Sequence, residues 1–233
     1  MRLANLFPKF FKSILISIYR TIVSSGLFRK LTYYPKNRNK LHQYWRQPWD
    51  GANLPQGYLK GEARSQLLLE NIKKIVEPDA SILEIGCNVG RNLNYLFNSG
   101  FVKLSGVEIS EEAVQLLKKS YPEMASESKI YNKPIEETIN EFSDEEFNVV
   151  FTMAVLEHIH IESEWIFPEL VRITKDFLIT IEDEQGVSWG RFPRKYKKIF
   201  GSLGMKQINE INCDKIDGLG SYFIARIFKK ITL

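Results

Sequence analysis

Residues 82–96 read ILEIGCNVGRNLNYL: a short apolar run, a turn with two glycines, and a helical pattern. Backbone amides at the start of such a helix attract anions, and dinucleotide-binding turns use the spacing G-x-G-x-x-G to hold a pyrophosphate. Here the spacing is Glu84-x-Gly86-x-x-x-Gly90, which lacks the middle glycine and adds a carboxylate. The turn is poorly suited to a pyrophosphate and predicts a ligand with a cationic group at this point.

A second acid follows the next apolar segment. Glu108 lies 22 residues beyond Gly86 and ends the run LSGVE, the position from which an acid binds two ribose hydroxyls. An α-amino acid bearing a sulfonium fits the first turn, because Glu84 can accept from its ammonium while the amides of residues 88–91 face its carboxylate. Gly86 allows close approach and Gly90 begins the helix. Ribose, amino acid and sulfonium together predict S-adenosyl-L-methionine as the cofactor.

Apolar runs alternate with amphipathic stretches from residue 60 onward. This alternation predicts a Rossmann-like, doubly wound α/β fold with helices on both faces of the sheet. The last two apolar runs read as a hairpin, so we expect a mostly parallel seven-stranded sheet with an antiparallel last strand, preceded by an N-terminal amphipathic helix. The predicted strands are SILEI, VKLSGVEI, SKIYN, FNVVFTMAV, DFLITIED, GMKQINEIN and GSYFIARIFKK.

The sequence resembles the class I S-adenosylmethionine-dependent methyltransferases, in particular the small-molecule group of types 11 and 12. The resemblance covers residues 60–230 and is carried by LEIGCNVGRNL, LSGVEIS and FNVVFTMAVLEHI. It implies methyl transfer from S-adenosylmethionine (EC 2.1.1). The cofactor-binding residues that it implies are Glu84, Gly86, Cys87, Asn88, Gly90, Asn92, Glu108, Ile109, Ile135, Thr152 and Met153.

Two positions depart from the family pattern. Asn88 stands where the family commonly has glycine, a change that Gly86 and Gly90 should make tolerable. Many relatives have an acid near Pro134 that accepts a hydrogen bond from the adenine amino group, and we expect none here. We therefore expect adenine contacts from the Ile135 backbone and from Asn132.

The family pattern places the residues after the fourth strand opposite the methyl group, which points to Glu157 and His158. His158 is the candidate general base because imidazole titrates near neutral pH; alternatively it caps a helix or orients the loop. Asp183 belongs to an acidic loop, residues 182–184, which either recognises the acceptor or removes a proton from it as a catalytic group, or forms a solvated turn. No carboxylate set typical of a divalent metal site is evident, so no metal is predicted.

The basic residues are unevenly distributed. Residues 1–49 contain ten Lys or Arg and no Asp or Glu, which leaves 22 basic against 28 acidic residues in positions 50–233. Because positions 50–233 carry a net negative charge, a nucleic-acid substrate is less favoured. The two cysteines, Cys87 and Cys213, lie far apart without ligand-like pairing, so we predict neither a disulfide framework nor a zinc site. A reducing compartment, the cytoplasm, fits best.

Three segments are predicted: a leader (residues 1–32), an aromatic segment (33–60) and a methyltransferase domain (61–233). Apolar residues of the leader recur at three- and four-residue steps. This pattern is typical of a helix at an anionic membrane surface, of a helix packed on its own domain or a partner, or of a cleaved presequence. Arg20 interrupts the apolar run, so we expect no transmembrane helix. The aromatic segment covers either the sheet edge or the mouth of the active site.

The leading hypothesis is a methyltransferase for a small or membrane-associated acceptor, such as a surface-glycan sugar or a lipid-linked intermediate. Peripheral contact at the inner face of a membrane would then involve residues 1–31. The alternatives are a non-catalytic, methyltransferase-like scaffold subunit and an RNA methyltransferase that uses the leader as a basic arm. The stretch WGRFPRKYKKIF, residues 189–200, is either a solvated amphipathic helix or a contact for acceptor phosphates.

Overall fold

The computed structural model describes residues 37–49, 51–186, 188 and 190–231. The predicted leader, residues 1–32, lies outside the described residues. Within the described part, seven strands form one sheet in the order β3-β2-β1-β4-β5-β7-β6. The strands are β1 (Ile82–Ile85), β2 (Leu104–Val107), β3 (Lys129–Tyr131), β4 (Phe147–Met153), β5 (Thr174–Asp183), β6 (Met205–Asn212) and β7 (Phe223–Lys230).

The direction of the strands confirms the predicted topology. Strands β1 to β5 pair in parallel, and β7 pairs antiparallel with both β5 and β6. Only β7 therefore runs against the others in this sheet. The hairpin of β6 and β7 completes the mostly parallel, Rossmann-like fold that the alternating pattern predicts.

Helices cover both faces of the sheet. The α-helices are α1 (Arg38–Arg46), α2 (Glu62–Ile72), α3 (Arg91–Phe97), α4 (Glu111–Ser120), α5 (Pro122–Glu127), α6 (Ile135–Thr138), α7 (Ile166–Ile173) and α8 (Tyr196–Ser202). Short 3-10 turns lie at Pro55–Leu59, Ile139–Glu141, Leu156–His158 and Ile161–Ser163. As its sequence indicates, α4 begins at a serine cap: the Ser110 hydroxyl accepts from the Ala113 amide at 3.3 Å.

The apolar side chains form two clusters, one on each face of the sheet. One contains residues of α2, α3 and the β6–β7 hairpin, and the other contains residues of α7 and α8. Strand β1 lies between β2 and β4, and all four of its residues are buried. This burial explains why its sequence is continuously apolar apart from Glu84.

The register of the central strands determines where the functional side chains meet. Ile85, at the end of β1, is paired with Val107 of β2 on one side and with Thr152 of β4 on the other. The carboxyl ends of these strands are therefore level, and the turns that follow them open onto the same edge. In a parallel sheet this edge is where ligands bind.

Among the described residues, no helix combines the length and the apolar character needed to cross a bilayer. Cys87 and Cys213 are both free and buried. A Cβ added to Gly106 of β2 would lie 2.7 Å from the Cys87 sulfur and 2.9 Å from Leu93 Cδ1. The turn after β1 and the start of α3 thus pack directly on the backbone of β2.

This close packing gives a test of the fold. We expect Gly106→Ala to lower the free energy of unfolding by about 1–3 kcal/mol, because the added methyl overlaps the thiol. In a Cys87→Ala background the same change should cost less by at least about 0.5 kcal/mol, since the nearest atom is gone. Urea denaturation of the two single variants and the double variant measures this coupling. Strictly additive losses would contradict the packing described here.

Candidate active site

A cavity of about 190 Å³ lies at the carboxyl ends of β1, β2 and β4, beneath the segment 37–59. Most of the predicted site residues line it: Glu84, Gly86, Cys87, Asn88, Asn92, Glu108, Ile109, Ile135, Met153 and His158. Gly90, Thr152, Glu157 and Asp183 do not line it and lie behind its wall. Segments that are far apart in sequence therefore converge on one space.

The turn after β1 requires unusual backbone angles. Gly86 has φ +71°, and a Cβ there would lie 2.4 Å from Val155 Cγ2. Gly90 has φ +74° and packs against Leu117. Asn88 has φ +46°, which is the left-handed region that asparagine tolerates better than other non-glycine residues. This angle explains both the usual glycine at this position and why asparagine can replace it.

Glu84 is a buried carboxylate with unused bonding capacity. It is 2% exposed; its Oε1 accepts from Asn92 Nδ2 at 2.7 Å, and its Oε2 has no hydrogen-bond partner. Burial raises the pKa of Glu84 to about 8. The neighbouring Arg91 does not neutralise it, because its guanidinium donates to the Ser65 hydroxyl and to the carbonyls of Tyr58 and Lys60. A cationic ligand would stabilise this carboxylate.

Glu108 follows β2 and is oriented by two backbone amides. Its Oε1 accepts from the Ser110 amide at 2.7 Å and its Oε2 from the Asn88 amide at 2.9 Å. Burial nevertheless raises the pKa of Glu108 above its ordinary value. Because each carboxylate oxygen can accept more than one hydrogen bond, the side chain is both fixed and able to bind a hydroxyl group.

Arg64 is a cavity residue that the sequence did not reveal. It lies in the first turn of α2, lines the cavity, and donates from Nη2 to the Lys60 carbonyl at 3.1 Å. Its Nε is buried and has no hydrogen-bond partner. Nothing in its local sequence distinguishes it from a solvated helix arginine, since only the fold brings α2 to the cavity. An unsatisfied guanidinium nitrogen favours an anionic ligand group.

The loop after β3 corrects one expectation. Glu136, two residues beyond Pro134, lines the cavity, so the expected lack of an acid near Pro134 is wrong. Its Oε1 lies 3.1 Å from His42 Nε2; burial acts to raise the pKa of Glu136, but the His42 contact lowers it overall. Ile135 lines the cavity as expected, whereas Asn132 donates to the Glu108 carbonyl and does not line it.

The segment 37–59 forms a roof over the cavity. It contributes Leu41, His42, Trp45, Pro48, Asn53, Pro55 and Tyr58 to the lining. The roof contacts the body through the His42–Glu136 pair and through the Ser110 hydroxyl, which donates to the Arg46 carbonyl at 3.3 Å. The Trp45 ring also lies against the His158 ring, with centroids 4.5 Å apart. The aromatic side chains of Trp45 and Tyr58 thus form part of the cavity wall.

His158 has a protein group next to each of its ring nitrogens. Its Nδ1 lies 2.6 Å from the Gly190 carbonyl oxygen, and because a carbonyl can only accept, Nδ1 carries a hydrogen. Its Nε2 lies 3.4 Å from Glu157 Oε1, a buried atom without a hydrogen-bond partner. Burial lowers the pKa of His158 to about 4 and raises that of Glu157 to about 8. Both groups of this pair are therefore neutral at pH 7.

The acidic residues 182–184, at the end of β5, do not form a solvated turn. Glu182 is fully buried and accepts from the Thr152 hydroxyl at 2.7 Å and the Val155 amide at 3.0 Å. Asp183 accepts from the amides of residues 185 and 186. Glu184 pairs with Arg226. The interpretation of residues 182–184 as solvated is wrong, because each carboxylate stabilises a loop or a strand end.

The stretch 189–200 is only partly solvated. Lys195, Lys197 and Lys198 are exposed, in agreement with an amphipathic helix. Arg194, in contrast, is 3% exposed and donates to backbone carbonyls of the loop after β4. It is not available to a phosphate, so for this residue both interpretations are wrong.

The geometry of the cavity agrees with comparisons to known proteins. A family model described as a methyltransferase domain, type 11, matches residues 83–176. This part of the chain is similar to the methyltransferase domain family. The match begins in β1 and contains Glu84, the glycine turn, Glu108 and the loop with His158. It confirms the predicted recognition and the predicted cofactor class, S-adenosylmethionine.

Solved methyltransferases share the fold of the methyltransferase domain. The geranyl diphosphate C-methyltransferase from Streptomyces coelicolor A3(2) is 11% identical, with a TM-score of 0.59 over 73% of this chain and 79% of that chain. The magnesium protoporphyrin IX methyltransferase from Synechocystis PCC 6803 is 15% identical, with a TM-score of 0.57 over 93% and 97%. A methyltransferase in complex with the Haloferax volcanii Trm112 activator is 11% identical, with a TM-score of 0.62 over 83% and 98%.

The buried acids of the methyltransferase domain predict a pH-dependent stability. A carboxyl group whose pKa is raised on folding, as for Glu157, stabilises the fold fully below the unfolded pKa of about 4.3 and loses that contribution as pH rises toward 8. Each such group lowers the free energy of unfolding by up to about 1.4 kcal/mol per pH unit. We expect Glu157→Gln, which imitates the protonated acid, to show a shallower decline between pH 5 and pH 8.

Urea denaturation at several pH values measures this slope. Glu123→Gln, at an exposed position on α5, removes the same charge and serves as the control. If wild type, Glu157→Gln and Glu123→Gln lose stability equally between pH 5 and pH 8, the carboxyl of Glu157 is not protonated in the folded protein.

Proposed function

We propose that this protein transfers the methyl group of S-adenosylmethionine to a small acceptor bound beneath the roof. One observation supports the cofactor site above all. Two unsatisfied buried atoms of opposite character, Glu84 Oε2 and Arg64 Nε, line the same cavity. They are complementary to the ammonium and carboxylate groups of an α-amino acid. Glu108, fixed by two amides at the end of β2, is placed to accept from the ribose hydroxyls.

When bound, S-adenosylmethionine supplies a methyl group activated by a positively charged sulfur. The contribution of the protein is then to align the acceptor and to exclude water. The roof side chains Trp45 and Tyr58 close the cavity, and Met153 lies in its wall at the end of β4. The neutral His158 adds no positive charge that would repel the sulfonium. Glu157 lies behind the wall, with its Oε1 3.4 Å from His158 Nε2.

The rest of the cavity lining is mixed, with large apolar side chains beside polar ones. Outside the proposed cofactor-binding residues, the apolar ones include Trp45, Tyr58, Ile159, Leu219 and Phe223, and the polar ones include His42, Asn53, Lys133, Glu136 and His160. This composition supports an acceptor with an apolar ring or chain. Two similar structures are methyltransferases named for geranyl diphosphate and magnesium protoporphyrin IX, which supports a small-molecule acceptor. A membrane-associated acceptor, such as a lipid-linked intermediate or a surface-glycan sugar, combines this lining with the basic, amphipathic leader.

Cofactor binding is the first test. We expect Glu84→Gln to weaken the binding of S-adenosylmethionine by about 10-fold or more, because a hydrogen bond to a charged group is worth roughly 1.5–3 kcal/mol. Isothermal titration calorimetry on the full chain measures the dissociation constant. Glu184→Gln is the matched control, since it removes a partly buried carboxylate that pairs with Arg226 and does not line the cavity. A wild-type protein that shows no saturable binding would refute the proposed function.

The same titration should detect a proton. In the free protein, burial raises the pKa of Glu84 to about 8, so at pH 7 its carboxyl carries a proton that a bound ammonium would displace. We expect binding at pH 7 to release close to one proton and to strengthen as pH rises from 6 to 7.5. Calorimetry in two buffers of different ionisation enthalpy counts the protons. Equal proton release by wild type and Glu84→Gln would assign the effect to another group.

The leader provides a separate test of where the acceptor is found. If the acceptor is membrane-associated, full-length protein should float with anionic liposomes and a variant lacking residues 1–36 should not, because residues 1–36 carry seven of the ten basic residues of positions 1–49. Neutral liposomes serve as the control. Equal flotation of both proteins would contradict this part of the proposal, and salt-sensitive RNA binding that depends on residues 1–36 would favour the RNA alternative.

A further inference from the structure

The segment 190–194 is fastened to the loop that follows β4. The Phe192 amide donates to the Glu157 carbonyl at 2.7 Å. Arg194 donates from Nη1 to the Leu156 carbonyl at 2.9 Å and from Nη2 to the Ile159 carbonyl at 2.8 Å. Three hydrogen bonds thus connect this segment to the backbone on both sides of His158. None of these contacts involves the groups assigned above to the cofactor.

The Arg194 side chain lies in the interior of the protein, beside the loop after β4. Its side chain is fully buried, its Nε lies 3.0 Å from Glu164 Oε1, and its guanidinium carbon lies 5.3 Å from the Phe167 ring centre and 5.6 Å from that of Phe192. Burying a cation is costly unless its donors are satisfied. The rigid, planar fork of arginine satisfies several acceptors at once, which a lysine ammonium does not reproduce.

The fixed segment 190–194 acts on His158 through the Gly190 carbonyl. This carbonyl, at the start of the fastened segment, accepts from His158 Nδ1 at 2.6 Å and so selects the tautomer with hydrogen on Nδ1. The other nitrogen, Nε2, is left without hydrogen and lies 3.4 Å from Glu157 Oε1. Asp183 and Arg191 are the other charged groups near the ring, and the Trp45 ring lies against it with centroids 4.5 Å apart.

We propose that Arg194 is a positioning residue for methyl transfer: by fixing segment 190–194 on the loop after β4, it holds His158 neutral, with hydrogen on Nδ1, against the cavity. The effect on methyl transfer rests on the proposed function, whereas the effect on the His158 tautomer does not. The position of Arg194, four residues beyond Gly190 in a basic stretch, gives no local signal of such a role. The acceptor side of the cavity then has a wall of fixed shape and no positive charge.

The test combines nuclear magnetic resonance with cofactor binding and methyl transfer. Full-length protein labelled with ¹⁵N-histidine reports the tautomer of each of the three histidines, and His158→Asn assigns the signal of His158. Wild type should show hydrogen on Nδ1 and none on Nε2 from pH 5.5 to pH 8. In Arg194→Lys, we expect the His158 signal to shift toward a mixture of tautomers. Methyl transfer from radiolabelled S-adenosylmethionine into a cell extract should fall about 10- to 100-fold, as expected for a misplaced active-site group.

Arg172 provides a matched control. Its Nη1 donates to the Phe142 carbonyl at 2.8 Å and its Nη2 to the Ile139 carbonyl at 3.0 Å, so it fastens a loop in a similar way, but neither it nor that loop lines the cavity. We expect Arg172→Lys to leave the His158 tautomer and methyl transfer unchanged. In both variants the dissociation constant for S-adenosylmethionine should change by less than about threefold, because Glu84, Glu108 and Arg64 are untouched.

Two results would overturn the inference. One is a wild-type His158 with hydrogen on Nε2, which can be observed even if Arg194→Lys is too unstable to purify. The other is an Arg194→Lys variant that folds and binds the cofactor while its His158 signal and methyl transfer match those of wild type. Failure of the wild-type protein to bind S-adenosylmethionine would instead refute the proposed function, and the tautomer measurement distinguishes the two failures.

Discussion

The unpartnered carboxylate oxygen of Glu84, in the central strand of the sheet, is the constraint on which the site depends. Strand β1 is buried on both faces, so its one acid stands where water does not stabilise a charge. The single hydrogen bond from Asn92, in the helix that follows, fixes the carboxylate without neutralising it. The glycine turn and Glu108 surround the same space, so this arrangement is complementary to a cationic ligand.

A second layer of structure supports the opposite wall. Buried acids after β4 and β5 accept from loop amides, and Arg194 satisfies carbonyls of the same loop. The backbone groups of this irregular segment are thereby paired within the protein, as buried polar groups require. The cavity keeps its shape because its wall is held from behind, by residues that do not touch the space itself.

The sequence was informative where the relevant residues are close together in the chain. The seven strands, the antiparallel β7 and the turn from Glu84 to Gly90 follow from local pattern and spacing. The positions of Arg64, Glu136 and Arg194 do not. Arg64 reaches the cavity only because the fold brings α2 there, whereas Glu136 contacts His42 and Arg194 contacts Leu156, both in distant segments of the chain. Local composition also misled for residues 182–184, since acids at a strand end look solvated until the fold supplies buried amides and Arg226 as partners.

The two halves of the cavity come from different parts of the chain. The walls with Glu84 and Glu108 lie within the family match, residues 83–176, whereas the roof and the β6–β7 hairpin lie outside it. Substitutions in the roof can therefore remodel the space opposite the sheet while the glycine turn stays intact. Proteins with this domain could diverge by substitutions in the roof while the glycine turn and the two glutamates stay the same.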